Sequence, residues 1–225
     1  MKFIELKGDT WQKKLTYFKD YYLGWTLLII GGIVLGAYFI YTTVIARQDV
    51  VLSVVVSTQA PVDTIRMTQD LNAALGSSVG LGERETADCM QVGTNGNAQA
   101  IKMAVLTRFG AGDIDLYIAE REDLTGYAET GFMEDLSQWL PQDLYNELQN
   151  KDALMEAQIV TYDESTFEVI NRADPLPYAI EMSALPGLAP YLEHMADPVL
   201  GIAASPDEAD EELAALRFFM NGAGE

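Results

Sequence analysis

Val50-Val51-Leu52-Ser53-Val54-Val55-Val56-Ser57 is a nearly continuous β-branched run. A strand that is apolar in both directions reads as one buried on both faces, the usual state inside a parallel sheet. Working outward, Pro61 to Leu75 places Val62, Ile65, Leu71, Ala74 and Leu75 at helical spacing, and Gly76 is expected to end that helix. Glu85 to Val92 is a weaker second strand. Asn97 stands where it can cap a helix over Ala98 to Phe109, with Ile101, Val105 and Leu106 on one face and Gly110 and Gly112 as stops. Ile114 to Ala119 is a third strand. Strand and helix thus alternate from Val50 to Ala119, the pattern of βαβ units, a parallel sheet and the α/β class.

Further on, Asp123 to Glu129 makes a short helix closed by Gly131, and Pro141 to Gln149 another, with Pro in its first turn. After Lys151 the pattern changes. Ala157 to Val169 reads as two strands around a polar turn at Tyr162 to Ser165, and Tyr178 to Met182 and Leu200 to Ala204 read as further strands. A last helix over Glu208 to Met220 turns Leu213, Leu216, Phe219 and Met220 inward. Asp207, Glu208, Asp210, Glu211 and Glu212 gather at its start, where carboxylates favour the helix dipole.

Upstream, Tyr21 to Ala46 is 26 residues without a charge. A helix that long reaches roughly 39 Å at about 1.5 Å per residue, enough to cross a hydrocarbon core of about 30 Å. Tyr21, Tyr22 and Trp25 lie towards one end and Tyr38, Phe39 and Tyr41 towards the other, as in an interfacial belt. A cleaved signal peptide is the alternative, with Val44 and Ala46 at the −3 and −1 positions. The apolar run exceeds the usual h-region of roughly 7–15 residues, which favours an uncleaved anchor. Lys2, Lys7, Lys13, Lys14 and Lys19 precede the span and Arg47 follows it, so the positive-inside rule places the N-terminus in the cytoplasm. Three segments follow: a cytoplasmic 1–20, a transmembrane 21–46 and an extracellular 47–225. Gly32 and Gly36 form a small-xxx-small pair that would let two helices pack closely as a homodimer, although such pairs are also common by chance in apolar runs.

The chain has 225 residues and a formal net charge of −20, with 14 Lys and Arg against 34 Asp and Glu. So acidic a chain lacks the basic face that nucleic acid requires. With one Cys and one His it holds no internal disulfide and no multi-Cys or multi-His metal site. No catalytic constellation stands out, and neither an enzyme nor a cofactor is expected. His194, next to Glu193, reads as an exposed residue of a short amphipathic helix rather than a general base. Cys89 lies in a predicted strand without a basic neighbour and reads as core. Asp113 and Asp115 offer oxygen ligands but lack the EF-hand spacing, and read as turn and strand-end residues. Gly93-Thr94-Asn95-Gly96-Asn97 lacks the Gly-Lys-Ser/Thr end of a P-loop and reads as a turn and N-cap.

Two stretches resemble the extracellular solute-binding proteins of bacterial ABC importers, the sugar-type group in particular. The first is Gly110-Ala111-Gly112-Asp113-Ile114-Asp115-Leu116-Tyr117-Ile118 followed by Gly131-Phe132-Met133-Glu134-Asp135-Leu136. The second is Leu200-Gly201-Ile202-Ala203-Ala204-Ser205 with Ala214-Ala215-Leu216-Arg217-Phe218-Phe219-Met220, and Tyr178-Ala179-Ile180 is similar to the segment that returns from that family's hinge. The resemblance implies a periplasmic-binding-protein-like lobe, a solute and an ABC permease as partner. Members carry two lobes. Here the stretch from Lys151 to Asp174 leaves room for a short hairpin only, so one lobe is expected, and Cys89 is internal rather than a lipid-bearing terminus. If the family's site survives, ligand meets the carboxyl ends of the strands. The candidates are Ser57, Thr58 and Gln59 after the first strand, Thr94 and Asn95 after the second, and Glu120 and Arg121 after the third, with Trp139 and Tyr178 to stack on a sugar ring. The other reading is a lobe that has lost its solute and docks another membrane protein.

Overall fold

The structure, a computed structural model, describes residues 11–12, 15–16, 19, 22–42, 49–93, 97–162, 169–204 and 209–222. The chain divides into Met1–Gln48 and Asp49–Glu225. In the first unit helix α1 covers Leu23–Ile40, and it is the one helix among the described residues long and apolar enough to cross a membrane. A membrane span and a signal sequence both meet that description. Its 18 residues extend about 27 Å at the helical rise. Gly32 and Gly36 are exposed on it, with open space where a side chain would be.

The second unit is α/β. Its strands are β1 (Asp49–Ser57), β2 (Glu85–Val92), β3 (Leu116–Glu120), β4 (Leu154–Ala157), β5 (Val160–Tyr162), β6 (Val169–Arg172), β7 (Leu176–Glu181) and β8 (Pro198–Ile202). Its helices are α2 (Thr64–Ser78), α3 (Ala98–Ala111), α4 (Arg121–Glu129), α5 (Leu136–Trp139), α6 (Gln142–Asn150) and α7 (Ala209–Asn221). Six strands form one mixed sheet in the order β2-β1-β3-β8-β7-β4. β2, β1 and β3 run parallel, and each later neighbour is antiparallel to the one before.

Alternation along the strands divides the core between the two faces. Leu52, Val54, Val56, Leu116, Ile118, Leu200 and Ile202 point to one side, under Met67, Leu71 and Leu75 of α2 and Leu216 and Phe219 of α7. Val55, Tyr117, Ala119 and Val199 point to the other, under Val105 of α3 and Leu124, Tyr127 and Ala128 of α4. From Leu52 onward both sides of β1 are covered, as its apolar run requires, while Val50 at its start is exposed.

Several element ends differ from expectation. α2 passes through Gly76 and stops at Ser78, because the left-handed residue that terminates it is Gly80, at φ 76°. Its start is set by Asp63, whose carboxylate accepts the Arg66 N–H at 3.0 Å. α3 likewise runs through Gly110 to Ala111 and ends on Gly112, at φ 71°. Asn97 caps it as expected, accepting from Ala100 N at 2.8 Å. β3 begins two residues late, at Leu116. Asp115 instead bridges strands: its carboxylate accepts the Ser53 N–H at 2.6 Å, its own N–H donates to Ser53 O, and its carbonyl accepts from Ala203 N. Tyr191 to Met195 is a run of turns rather than a helix. Its backbone makes i→i−3 turn bonds instead, Tyr191 N to Leu188 O, Leu192 N to Ala189 O and Met195 N to Leu192 O.

Beyond Ala157 the β4–β7 ladder continues as β5–β6, a two-stranded arm outside the main sheet. Ala173 N donates to Ile159 O at 3.0 Å, and Val160 pairs with Arg172. Val169 and Ile170 on the arm are exposed. The turn expected at Tyr162 to Ser165 lies largely outside the described residues.

Candidate functional site

In a sheet of order 2-1-3 the chain crosses to opposite faces on leaving β1 and β2, so a crevice opens at the carboxyl ends of β1 and β3. A cleft of about 600 Å³ occupies that place. Its floor and one lip come from Ser57 to Ala60 at the end of β1. A second wall is the first turns of α3, with Gln99 and Lys102. The third is the β3–α4 junction, with Glu120, Glu122, Asp123 and Tyr127, and His194 and Ala196 close the circuit. An adjoining cavity of about 590 Å³ shares Glu120, Glu122, Gly126 and Ala196 and adds Arg121, Glu129 and Asp197.

The β1 lip is held rigidly. Thr58 N donates to Val92 O at 3.0 Å, and Ala60 N donates to Thr58 Oγ1 at 3.1 Å. Gln91 of β2 donates its amide to Thr58 O at 3.0 Å and to Ala60 O at 2.5 Å. Gly93, at φ 127°, lets the next turn pass close: a Cβ there would lie 2.7 Å from Thr58 O. A lip fixed by four such contacts is preorganised, which lowers the entropy cost of binding.

The third wall is braced by Arg121. Its Nε donates to Asp197 Oδ2 and its Nη2 to Glu181 Oε2, each at 2.7 Å. The fork ties the end of β3 to the end of β7 and the entry to β8. These carboxylates raise the guanidinium pKa above its ordinary value, and the guanidinium in turn holds the exposed Asp197 carboxyl below the usual carboxylate range. Asp197 takes a positive φ of 40° to reach it.

Beneath the floor, Tyr117, Tyr127, Phe109 and Phe132 pack with ring centroids 5.2–5.3 Å apart. Tyr117 is fully buried, and its hydroxyl lies against Ser57 and Tyr127 without a hydrogen bond of good geometry. Ser57, Tyr127 and Asp123 are its polar surroundings, and burial drives its pKa well above the ordinary phenol value.

Ser57, Thr58, Gln59 and Glu120 therefore line the cleft, and Arg121 lines its neighbour. Thr94 and Asn95 lie outside the described residues. Tyr178 is buried against the α3–α4 side of the sheet and Trp139 packs partly buried on the other core, so neither presents a ring among the cleft's lining residues. Lys102, Glu122, Asp123 and Tyr127 were not foreseen as lining residues. Helix-start residues carry no spacing signal for a site, and only the crossing of the chain at β1 brings them together. Cys89 is buried and its thiol is pushed up to about 12, mainly by desolvation, so it is a core residue and not a nucleophile. Among the described residues no group of His, Cys, Asp and Glu is arranged to hold a metal.

No family model, curated protein or solved structure matches the chain.

Proposed function

We propose that this protein is a membrane-anchored, extracellular solute-binding component of an ABC-type importer. In this reading α1 is an uncleaved span with its N-terminus in the cytoplasm, and the α/β unit captures a small polar solute outside the cell for a permease. One observation carries it: a preorganised cleft of about 600 Å³ at the carboxyl ends of β1 and β3, where open α/β sheets take their ligands. The motif resemblance agrees with it.

A second reading has its own observation. The β5–β6 arm stands apart from the sheet with Ile170 65% exposed, and a two-stranded ribbon is marginal in water on its own. A lobe that docks another membrane protein through such an arm needs no solute.

Purification of the full-length protein from its own membranes in mild detergent, followed by identification of what accompanies it, separates the two. Recovery of a permease and its ATPase is expected. Recovery of an unrelated membrane complex overturns the import reading and supports docking.

A further inference from the structure

The two edges of the main sheet are finished in different ways. At the β2 edge, side chains of α2 take up outward backbone groups. Asn72 donates to Ala87 O and accepts from Ala87 N, and Thr68 Oγ1 accepts from Cys89 N. At the β4 edge no such contact is present among the described residues. Ala153 O accepts the Glu181 N–H at 2.8 Å, and Leu154 stands opposite Ile180. In an antiparallel ladder this makes Leu154 and Ile180 a non-hydrogen-bonded pair, so the N–H and C=O of Leu154 turn away from β7. Glu156 is exposed and stands opposite Pro177, which has no N–H to give. The outer side of β4 is therefore an open row of donors and acceptors, and it runs on through Ile159 into β5.

The arm adds apolar surface to this edge. Ile159, Val169 and Ile170 are exposed. Val169 and Ile170 are consecutive in β6 and point to opposite faces, so the ribbon is open on both.

Charge and symmetry select the occupant. β4, β5 and β6 carry one acid, Glu156, and one base, Arg172, while the whole chain carries −20. Two copies repel each other over most of their surface and least along these strands. An antiparallel edge is also complementary to itself, because a two-fold axis sets the N–H groups of one strand against the C=O groups of the same strand in the other copy. With the β2 edge capped, pairing at β4 closes at two copies instead of growing into a fibre.

We infer that the β4–β5 edge is a homodimer interface, at which the sheets of two copies join antiparallel into one. The exposed apolar residues of the arm pack at the junction. This interface stands apart from the import reading, and either can fail without the other.

Sedimentation equilibrium of the full-length protein in a density-matched mild detergent tests it. A protein mass of twice the 24.8 kDa chain is expected. Glu156→Pro removes an outward N–H that an unpaired edge does not use, and Ile170→Lys puts a charge at an exposed apolar position. Each should raise the dissociation constant of the dimer by about tenfold or more, with the circular dichroism of the folded protein retained. A monomer at every concentration overturns the inference, and so does growth beyond two copies. A dimer that both variants leave intact overturns it as well, and lies in α1 if Gly32→Leu with Gly36→Leu dissolves it. If Glu156→Pro loses its fold, Ile170→Lys decides alone: an undiminished dimer in that variant overturns the inference.

Discussion

In the parallel half of the sheet, β2-β1-β3, α2 and α3 return the chain to the same edge each time, one over each face. In the antiparallel half, β8-β7-β4, the connections are an arm and a run of turns, and strand ends alternate between the two edges. Parallel strands with helical crossovers collect carboxyl ends and helix N-termini along one edge. The cleft forms there, and the antiparallel half contributes only its rim, through His194, Ala196 and the carboxylates that hold Arg121. The two halves differ in tolerance as well. β1 from Leu52 onward and β3 are covered on both faces, whereas β4 is an edge strand.

The largest effect that would sharpen this contrast is a truncation at its centre. Ile118→Ala in β3 should cost about 3–5 kcal/mol, and Met155→Ala in β4 only about 2, because the edge can relax into its cavity. Urea unfolding measures both, and equal losses would break the distinction. Next, Gly187→Ala tests how the turns of the antiparallel half dock on α7. A Cβ there meets Phe218 O at 2.7 Å and Phe219 O at 2.8 Å, both backbone atoms, so overpacking by about 1–3 kcal/mol is expected in the melting curve.

The outer edge of β2 is closed differently. Asn72 of α2 donates to Ala87 O and accepts from Ala87 N, and Thr68 Oγ1 accepts from Cys89 N. Outward-facing backbone groups of an edge strand are a template for aggregation, and these side chains occupy them. Asn72→Leu should cost about 1–3 kcal/mol and raise light scattering on storage. Stability unchanged in that variant would show the edge to be satisfied by other means.

A smaller effect comes from Cys89 behind the same edge. Its thiol rises from an ordinary 9.0 to about 12 in the folded protein. The unfolded chain therefore releases its proton first, so the Cys89 contribution to stability is full below pH 9.0 and is lost as pH rises from 9.0 towards about 12. Alkylation by iodoacetamide at pH 8 should be slow in the native protein and fast in urea. The smallest expected change is at the surface. Lys151→Ala removes an exposed ion pair with Glu147, and the midpoint should shift by under about 0.5 kcal/mol.

Local signals were sufficient for the elements of the parallel half. The Val50–Ser57 run, the Asn97 cap and the apolar spacing of the helices depend on near neighbours in sequence, and each element appears within a few residues of its expected place. The stops at Gly76 and Gly110 were misplaced, while Gly112 ends its helix as expected, because nothing in the sequence separates Gly76 and Gly110 from Gly80 and Gly112, and the sign of φ is settled only when the following chain packs. The antiparallel half was harder to read. Leu154 to Ala157 is too short to show a period, and its partner Leu176–Glu181 lies across the arm.

The chain alone determined an acidic α/β unit behind one long apolar segment, because composition, charge and periodicity are properties of neighbouring residues. It also placed Ser57, Thr58, Gln59 and Glu120 at strand ends. The tertiary structure decided the strand order, and with it which strand ends share an edge. It brought Lys102, Asp123, Tyr127 and His194 around those residues and drew Arg121 to Glu181 and Asp197. These are contacts between residues distant in sequence, and they exist only once crossover helices and burial have chosen one packing.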